Sequence, residues 1–102
     1  MSTLDRLQAM LMQPAIEIAP GLSFKNVLPA MVCADGTTLS VQASKTHYCS
    51  PRDDIGPYTA VEVWNVSAPE VPDFEYSSDD PSAYVDINSV VAFIDRHGGL
   101  AP

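Results

Sequence analysis

Two residues in the middle of the chain have the chemistry of a reactive pair. His47 and Cys49 stand two apart in His47-Tyr48-Cys49-Ser50-Pro51-Arg52. In extended chain, residues two apart project to the same side, so imidazole and thiol could converge. A histidine beside a cysteine can act as the base of a nucleophilic thiol, but a third orienting group is needed, and none is identifiable by spacing. With Cys33 and His97 they also make four ligands, the number of a closed zinc shell. None of the familiar paired-cysteine spacings occurs, and the four come from distant parts of the chain. The plainer reading makes Cys49 a small packed residue and His47 a hydrogen-bonded loop residue. The carboxylate pairs Asp53-Asp54 and Asp79-Asp80 could chelate a hard cation, but neither has the alternating spacing of a calcium loop. Each sits beside proline or glycine, as turn residues do. No phosphate-cradling glycine loop, GxSxG or HExxH is present. No cofactor, catalytic residue or enzymatic activity is expected.

Charge is the most informative feature. The chain has 13 acids against 5 bases, a net charge of −8 and a pI near 4.3. Between Arg52 and Arg96 there is no lysine or arginine, and that stretch holds ten acids: Asp53, Asp54, Glu62, Glu70, Asp73, Glu75, Asp79, Asp80, Asp86 and Asp95. Phe74, Tyr76 and Tyr84 are interleaved among them. A negative surface carrying aromatics suits a partner with a basic surface, since complementary fields speed encounter. The expected partner-binding residues are Asp53, Asp54, Glu70, Asp73, Phe74, Glu75, Tyr76, Asp79 and Asp80. The competing reading is a solvated loop whose charge serves solubility. Direct nucleic-acid binding needs a basic footprint, and docking on anionic lipid needs one too; both are disfavoured.

The elements that must position these residues follow from pattern. At 102 residues the chain is expected to be a single domain, 1–102. With 46% apolar residues, it is too hydrophobic to be disordered. A helix is predicted over 3–13, with Ser2 as N-cap, Asp5 in capping-box register, Leu4, Leu7, Met10 and Leu11 as its stripe, and Pro14 ending it. Residues 15–34 read as extended pieces around Pro20-Gly21. Asp35-Gly36 between apolar flanks predicts a β-hairpin over about 30–45 with a type I′ turn. A strand is predicted over 59–66, apolar on both faces and so interior or covered on both sides. Trp64 is expected in the core. An irregular acidic loop follows at 67–83. A helix over 87–97 has Asp86 as N-cap, Ile87, Val90, Val91 and Ile94 on one face, and Gly98 as C-cap. The fold expected is α+β: an antiparallel sheet of three to five strands with a helix at each end of the sequence. Its core would be Leu39, Val41, Val61, Val63, Ile87, Val90 and Ile94, with Thr38, Ser40, Gln42 and Ser44 on the other, polar face of the hairpin's second strand. No signal peptide or membrane span is legible, and two cysteines are too few for a disulfide scaffold.

Three segments carry a resemblance. Leu39-Ser40-Val41-Gln42-Ala43-Ser44, His47-Tyr48-Cys49-Ser50-Pro51-Arg52 and Gly56-Pro57-Tyr58-Thr59-Ala60-Val61-Glu62-Val63 look like a family of small phage and prophage proteins. So does the ending, Tyr84-Val85, a short helix and His97-Gly98-Gly99. The resemblance covers roughly residues 37–99 and transfers no catalytic or binding residue. It implies a phage accessory protein in the cytoplasm of a bacterial host; with the acidic surface, that context gives the expected function, binding and inhibiting or modulating a basic host protein. A defence nuclease complex is one such target, with anti-CRISPR action or nucleic-acid mimicry as forms of it. Alternatives are a small virion or assembly component forming homo-oligomers, and a zinc- or cysteine-dependent enzyme.

Overall fold

A computed structural model describes residues 2–24, 27–67 and 81–102. Helix α1 spans Thr3–Leu11, and the Ser2 hydroxyl accepts from the Asp5 N–H at 3.1 Å, the cap its position predicts. The helix stops at Leu11, with Met12 as C-cap, two residues short of the expected end. Pro14 accounts for this, because the residue before a proline is pushed out of the helical region. Leu7 and Leu11 are fully buried.

Strands β1 (Ile16–Ala19) and β2 (Leu22–Phe24) form a separate antiparallel hairpin, turned by Gly21 at φ 75°. The main sheet contains β3 (Met31–Val32), β4 (Thr38–Gln42), β5 (Ala60–Ser67) and β6 (Ser82–Asp86), in the order β3-β4-β5-β6 with every neighbour antiparallel. Helix α2 follows at once, Ile87–Arg96, with the Asp86 carboxylate accepting from the Asn88 N–H at 2.8 Å. This is the expected α+β fold, with four strands in its main sheet.

Period-two alternation sends Leu39, Val41, Val61, Val63 and Val85 to one face. There they join Leu7 and Leu11 of α1 and Ile87, Val90, Phe93 and Ile94 of α2 in one cluster. Leu39, Val41, Val61, Val63, Ile87, Val90 and Ile94, all expected in the core, are there. Burying each aliphatic side chain contributes about 1.5–3 kcal/mol, stabilisation that the nine-residue α1 could not find as an isolated helix.

Three expectations are corrected. The β3–β4 turn is not type I′. The Gly36 N–H donates to the Cys33 carbonyl and the Cys33 N–H to the Thr37 carbonyl, with Gly36 alone left-handed at φ 91°. That is a turn followed by a glycine bulge, and Asp35 is freed from the left-handed region to use its side chain. Trp64 is not in the core: it is 39% exposed on the outer sheet face, opposite Ser40. Its neighbour Asn65 takes φ 53°, which ends the regular alternation. Gln42, expected on the polar face, is buried there, because its amide accepts from the Leu28 N–H (2.9 Å) and donates to the Leu28 carbonyl (2.8 Å).

Among the described residues, no helix is long and apolar enough to cross a membrane.

Candidate functional site

The four possible zinc ligands fall into two separate places. His47 and Cys49 lie in the connection 43–59, where the Ser44 hydroxyl meets His47 Nδ1 at 2.6 Å and accepts from the Thr46 N–H at 3.1 Å. The Cys49 thiol is buried and directs its hydrogen to the Ser44 and Pro51 carbonyls, at 3.2 and 3.4 Å. Cys33 and His97 belong to the β3–β4 turn and the end of α2. Burial, and then the charge of Asp35, push the Cys33 thiol up from its ordinary range. His97 turns Nδ1 to Asp35. Both cysteines are free thiols, and among the described residues no three His, Cys, Asp or Glu side chains gather to hold a metal. The arrangement is that of packed and hydrogen-bonded groups.

Asp53 and Asp54 are loop-makers in the same connection. Asp53 Oδ1 accepts from the N–H groups of Ile55 and Gly56, at 3.0 and 2.9 Å. The Tyr58 hydroxyl donates to the Asp53 carbonyl at 2.9 Å. Burial first, and then the nearby Cys49, Asp53 and Asp54, push that phenol up to about 12. Asp54 accepts from the Lys45 N–H at 3.0 Å and lies 3.9 Å from its ammonium group. The loop is pinned to the core by Gln8 of α1, whose amide accepts from the Tyr58 N–H (2.9 Å) and donates to the Tyr58 carbonyl (2.6 Å).

Glu70, Asp73, Phe74, Glu75, Tyr76, Asp79 and Asp80 lie outside the described residues. Their points of attachment are defined. The acidic connection leaves β5 at Ser67, paired with Thr38, and returns at Ser82, opposite Val63. The loop bearing Asp53 and Asp54 joins Gln42 to Ala60, at the other end of β4 and β5. At about 3.3 Å per residue, the eight residues of β5 put roughly 20 Å between the two ends. The Ser67 root is therefore at the far end of β5 from the loop of Asp53 and Asp54, whereas the Ser82 root, opposite Val63, is three residues along β5 from Ala60.

A surface feature that sequence spacing gave no means of assembling lies where the loop meets β6. Tyr48 and Tyr84, 36 positions apart in sequence, bring their ring centroids to 6.1 Å, tilted by 54°. The Arg52 guanidinium stands over the Tyr48 ring at 5.0 Å. The two residues are 52% and 51% exposed, so they form a ledge and not a core contact. Backbone bonds fix it: the Tyr84 N–H donates to the Tyr48 carbonyl at 3.0 Å, and the Tyr48 N–H to Glu62 Oε2 at 3.0 Å. Tyr84 holds φ 52°, a conformation that bulky residues rarely adopt and that a surrounding structure must impose. The only signal in the sequence was the presence of Tyr84 just after the acidic run.

Compared with family models, curated proteins and solved structures, the chain matches none.

Proposed function

We propose that this is a non-enzymatic binding protein that docks on a basic surface of a host protein, using the acidic connection between β5 and β6. The observation that carries the reading is the base-free run from Asp53 to Asp95 with its ten acids. The sheet holds both ends of its densest part, and the Tyr48–Arg52–Tyr84 ledge borders β6 just beyond. Lys45 is turned to Asp54, and Arg6 gives its guanidinium to the carbonyls of Leu100 and Ala101, at 3.2 and 3.1 Å. An excess of negative charge steers a cationic partner and repels nucleic acid and anionic lipid. Asp53 and Asp54 shape their loop in this reading, and the contact is made by Glu70, Asp73, Phe74, Glu75, Tyr76, Asp79 and Asp80. The phage resemblance sets the action in a bacterial cytoplasm, where modulation of a nucleic-acid-handling complex fits an anionic docking surface.

The test is capture from bacterial lysate on the immobilised protein, with identification of what is retained at low and at high salt. The Asp79→Lys/Asp80→Lys protein is expected to lose most of that capture and most of its salt sensitivity. Undiminished capture by the double variant overturns the reading.

One observation favours a second reading, a small assembly component that self-associates. Ile16, Ile18 and Leu22 of the β1–β2 hairpin are 48%, 58% and 56% exposed. An isolated two-stranded hairpin is marginal in water without a covering surface. Sedimentation at high concentration separates the two, because a strict monomer removes this one.

A further inference from the structure

The chain from His97 to Ala101 runs along the outer edge of β3. The Ala101 N–H donates to the Val32 carbonyl (2.8 Å), the Ala34 N–H to the Gly99 carbonyl (2.8 Å) and the Asp35 N–H to the His97 carbonyl (3.2 Å). Cys33 and Leu100 pair across an antiparallel bridge, and both are buried. From α1, Arg6 holds the Leu100 and Ala101 carbonyls. The tail thus covers a strand edge that would otherwise present unpaired backbone groups. It leaves α2 through Gly98 and Gly99, both left-handed at φ 89° and 85°. A Cβ on Gly98 would come within 3.0 Å of Ala34 Cβ, so the tail lies tight against the turn.

One titratable contact joins tail and turn. The His97 ring, 7% exposed, has Nδ1 2.6 Å from Asp35 Oδ2 and 3.0 Å from Thr37 Oγ1. Asp35 also accepts from the Thr37 N–H at 2.9 Å. Phe93 lies against the imidazole at 4.7 Å between centroids. His97 is the C-cap of α2, its backbone N–H donating to the Ile94 carbonyl at 3.0 Å, and the end of a helix favours positive charge. Among the described residues, the other charged or titratable groups on the elements packed around it are Cys33 on the turn, Asp95 and Arg96 on α2, and Arg6 from α1. The Cys33 thiol is held neutral by burial and Asp35. Asp95 takes the Thr3 hydroxyl, Arg96 stands over Phe93 at 5.6 Å, and Arg6 is on the tail carbonyls. Among the described residues, Asp35 is the anion that faces the imidazole.

We propose that His97 and Asp35 form a pH-sensitive clasp that fastens the C-terminal tail over the β3 edge, tight with the imidazole protonated and looser with it neutral. A hydrogen bond between two ionised groups is roughly twice as strong as a neutral one. Imidazole ordinarily titrates between about pH 5 and 8. The Thr37 N–H, and then His97, hold the Asp35 carboxyl at about 2, so it stays ionised through that window. The fastened state binds the imidazole proton more tightly than the loosened one. Fastening is therefore strongest below the histidine transition and weakens as pH rises through it. Loosening uncovers the Val32 carbonyl and the Ala34 N–H.

Amide hydrogen exchange followed by NMR from pH 5 to 8.5, corrected for its intrinsic pH dependence, tests this. Protection of the Ala34 and Ala101 amides is expected to fall on the order of tenfold, the factor that one unit of proton affinity carries. The midpoint should coincide with the titration of the His97 ring, while Val41 and Val63 in the central sheet keep their protection. Asp35→Asn keeps an acceptor without the charge and should flatten the profile. The clasp is overturned if the His97 ring does not titrate in this range, or if tail protection is flat while it does. It is equally overturned if Val41 and Val63 lose protection in parallel, or if the pH dependence survives in Asp35→Asn.

Discussion

His47 and His97 hold the same ring nitrogen at the same 2.6 Å from an oxygen, and the two contacts do different things to the molecule. His47 reaches Ser44, three residues back, within a connection that already turns on its own. His97 reaches Asp35, 62 residues away in sequence, and joins the β3–β4 turn to the end of α2 and the tail. A bond within three residues selects a loop shape. A bond across 62 closes a long segment and fixes how the helix end sits on the sheet. The neighbourhoods differ accordingly. Around His97 lie the buried Phe93, Cys33 and Leu100, whereas around His47 lie backbone-capping side chains and, further along, the exposed Tyr48–Tyr84 ledge. The clasp end behaves as part of the core, and the loop end as a surface held in place by a few anchors.

That contrast can be broken most severely at Phe93. Truncation to alanine empties a fully packed site and removes the ring behind His97, and should destabilise by about 3–5 kcal/mol, read from urea denaturation. Tail amides should lose more protection than the Tyr48 and Tyr84 amides at matched global stability. If the ledge loosens first, the division into two kinds of end is wrong.

The loop end has its own anchor in Gln8. Replacing it with alanine leaves the Tyr58 N–H and carbonyl without their partners, at a cost of about 1–3 kcal/mol. The Tyr58 and Cys49 resonances should move while those of His97 stay. A uniform shift across both ends would show that α1 couples them.

Acid separates the ends without a substitution in the core. Asp35 is held at about 2, below its ordinary 3.8, so its contribution to stability is present above pH 4. It is lost as pH falls through the interval from about 4 to 2. Wild type and Asp35→Asn should therefore differ in denaturation midpoint at pH 5 and converge near pH 2. The smallest effect is expected at Arg52. Its alanine variant gives up an exposed cation–π contact worth about 0.5–1 kcal/mol, which should appear as altered Tyr48 shifts with little change in the unfolding curve.

Much of the fold is legible in local pattern. Ser2 with Asp5 marks the start of α1, Asp86 and Gly98 bracket α2, and the alternation of Leu39 and Val41 with Val61 and Val63 identifies the inner face of the sheet. These are signals within a few residues of one another, and backbone geometry translates them directly. Where a partner from elsewhere in the chain decides the outcome, the pattern is silent. The amide of Gln42 is buried because Leu28 comes to it, and Trp64 is left exposed because nothing described covers that part of the outer face. At the candidate site, charge distribution was readable because it is a property of composition. That Ser67, one root of the acidic connection, lies at the opposite end of β5 from the loop of Asp53 and Asp54 was not, since it depends on the antiparallel order of β4, β5 and β6.

Composition, helix caps and hydrophobic period, all carried by covalent neighbours, were enough to determine two helices, an antiparallel sheet, its buried face and a large excess of negative charge. Tertiary structure alone decided which polar groups meet: Asp35 with His97, Gln8 with Tyr58, Tyr48 with Tyr84. Each of those meetings depends on bringing segments dozens of residues apart into hydrogen-bond or ring contact. Their stability comes from the packing around them, and no window of sequence contains both halves.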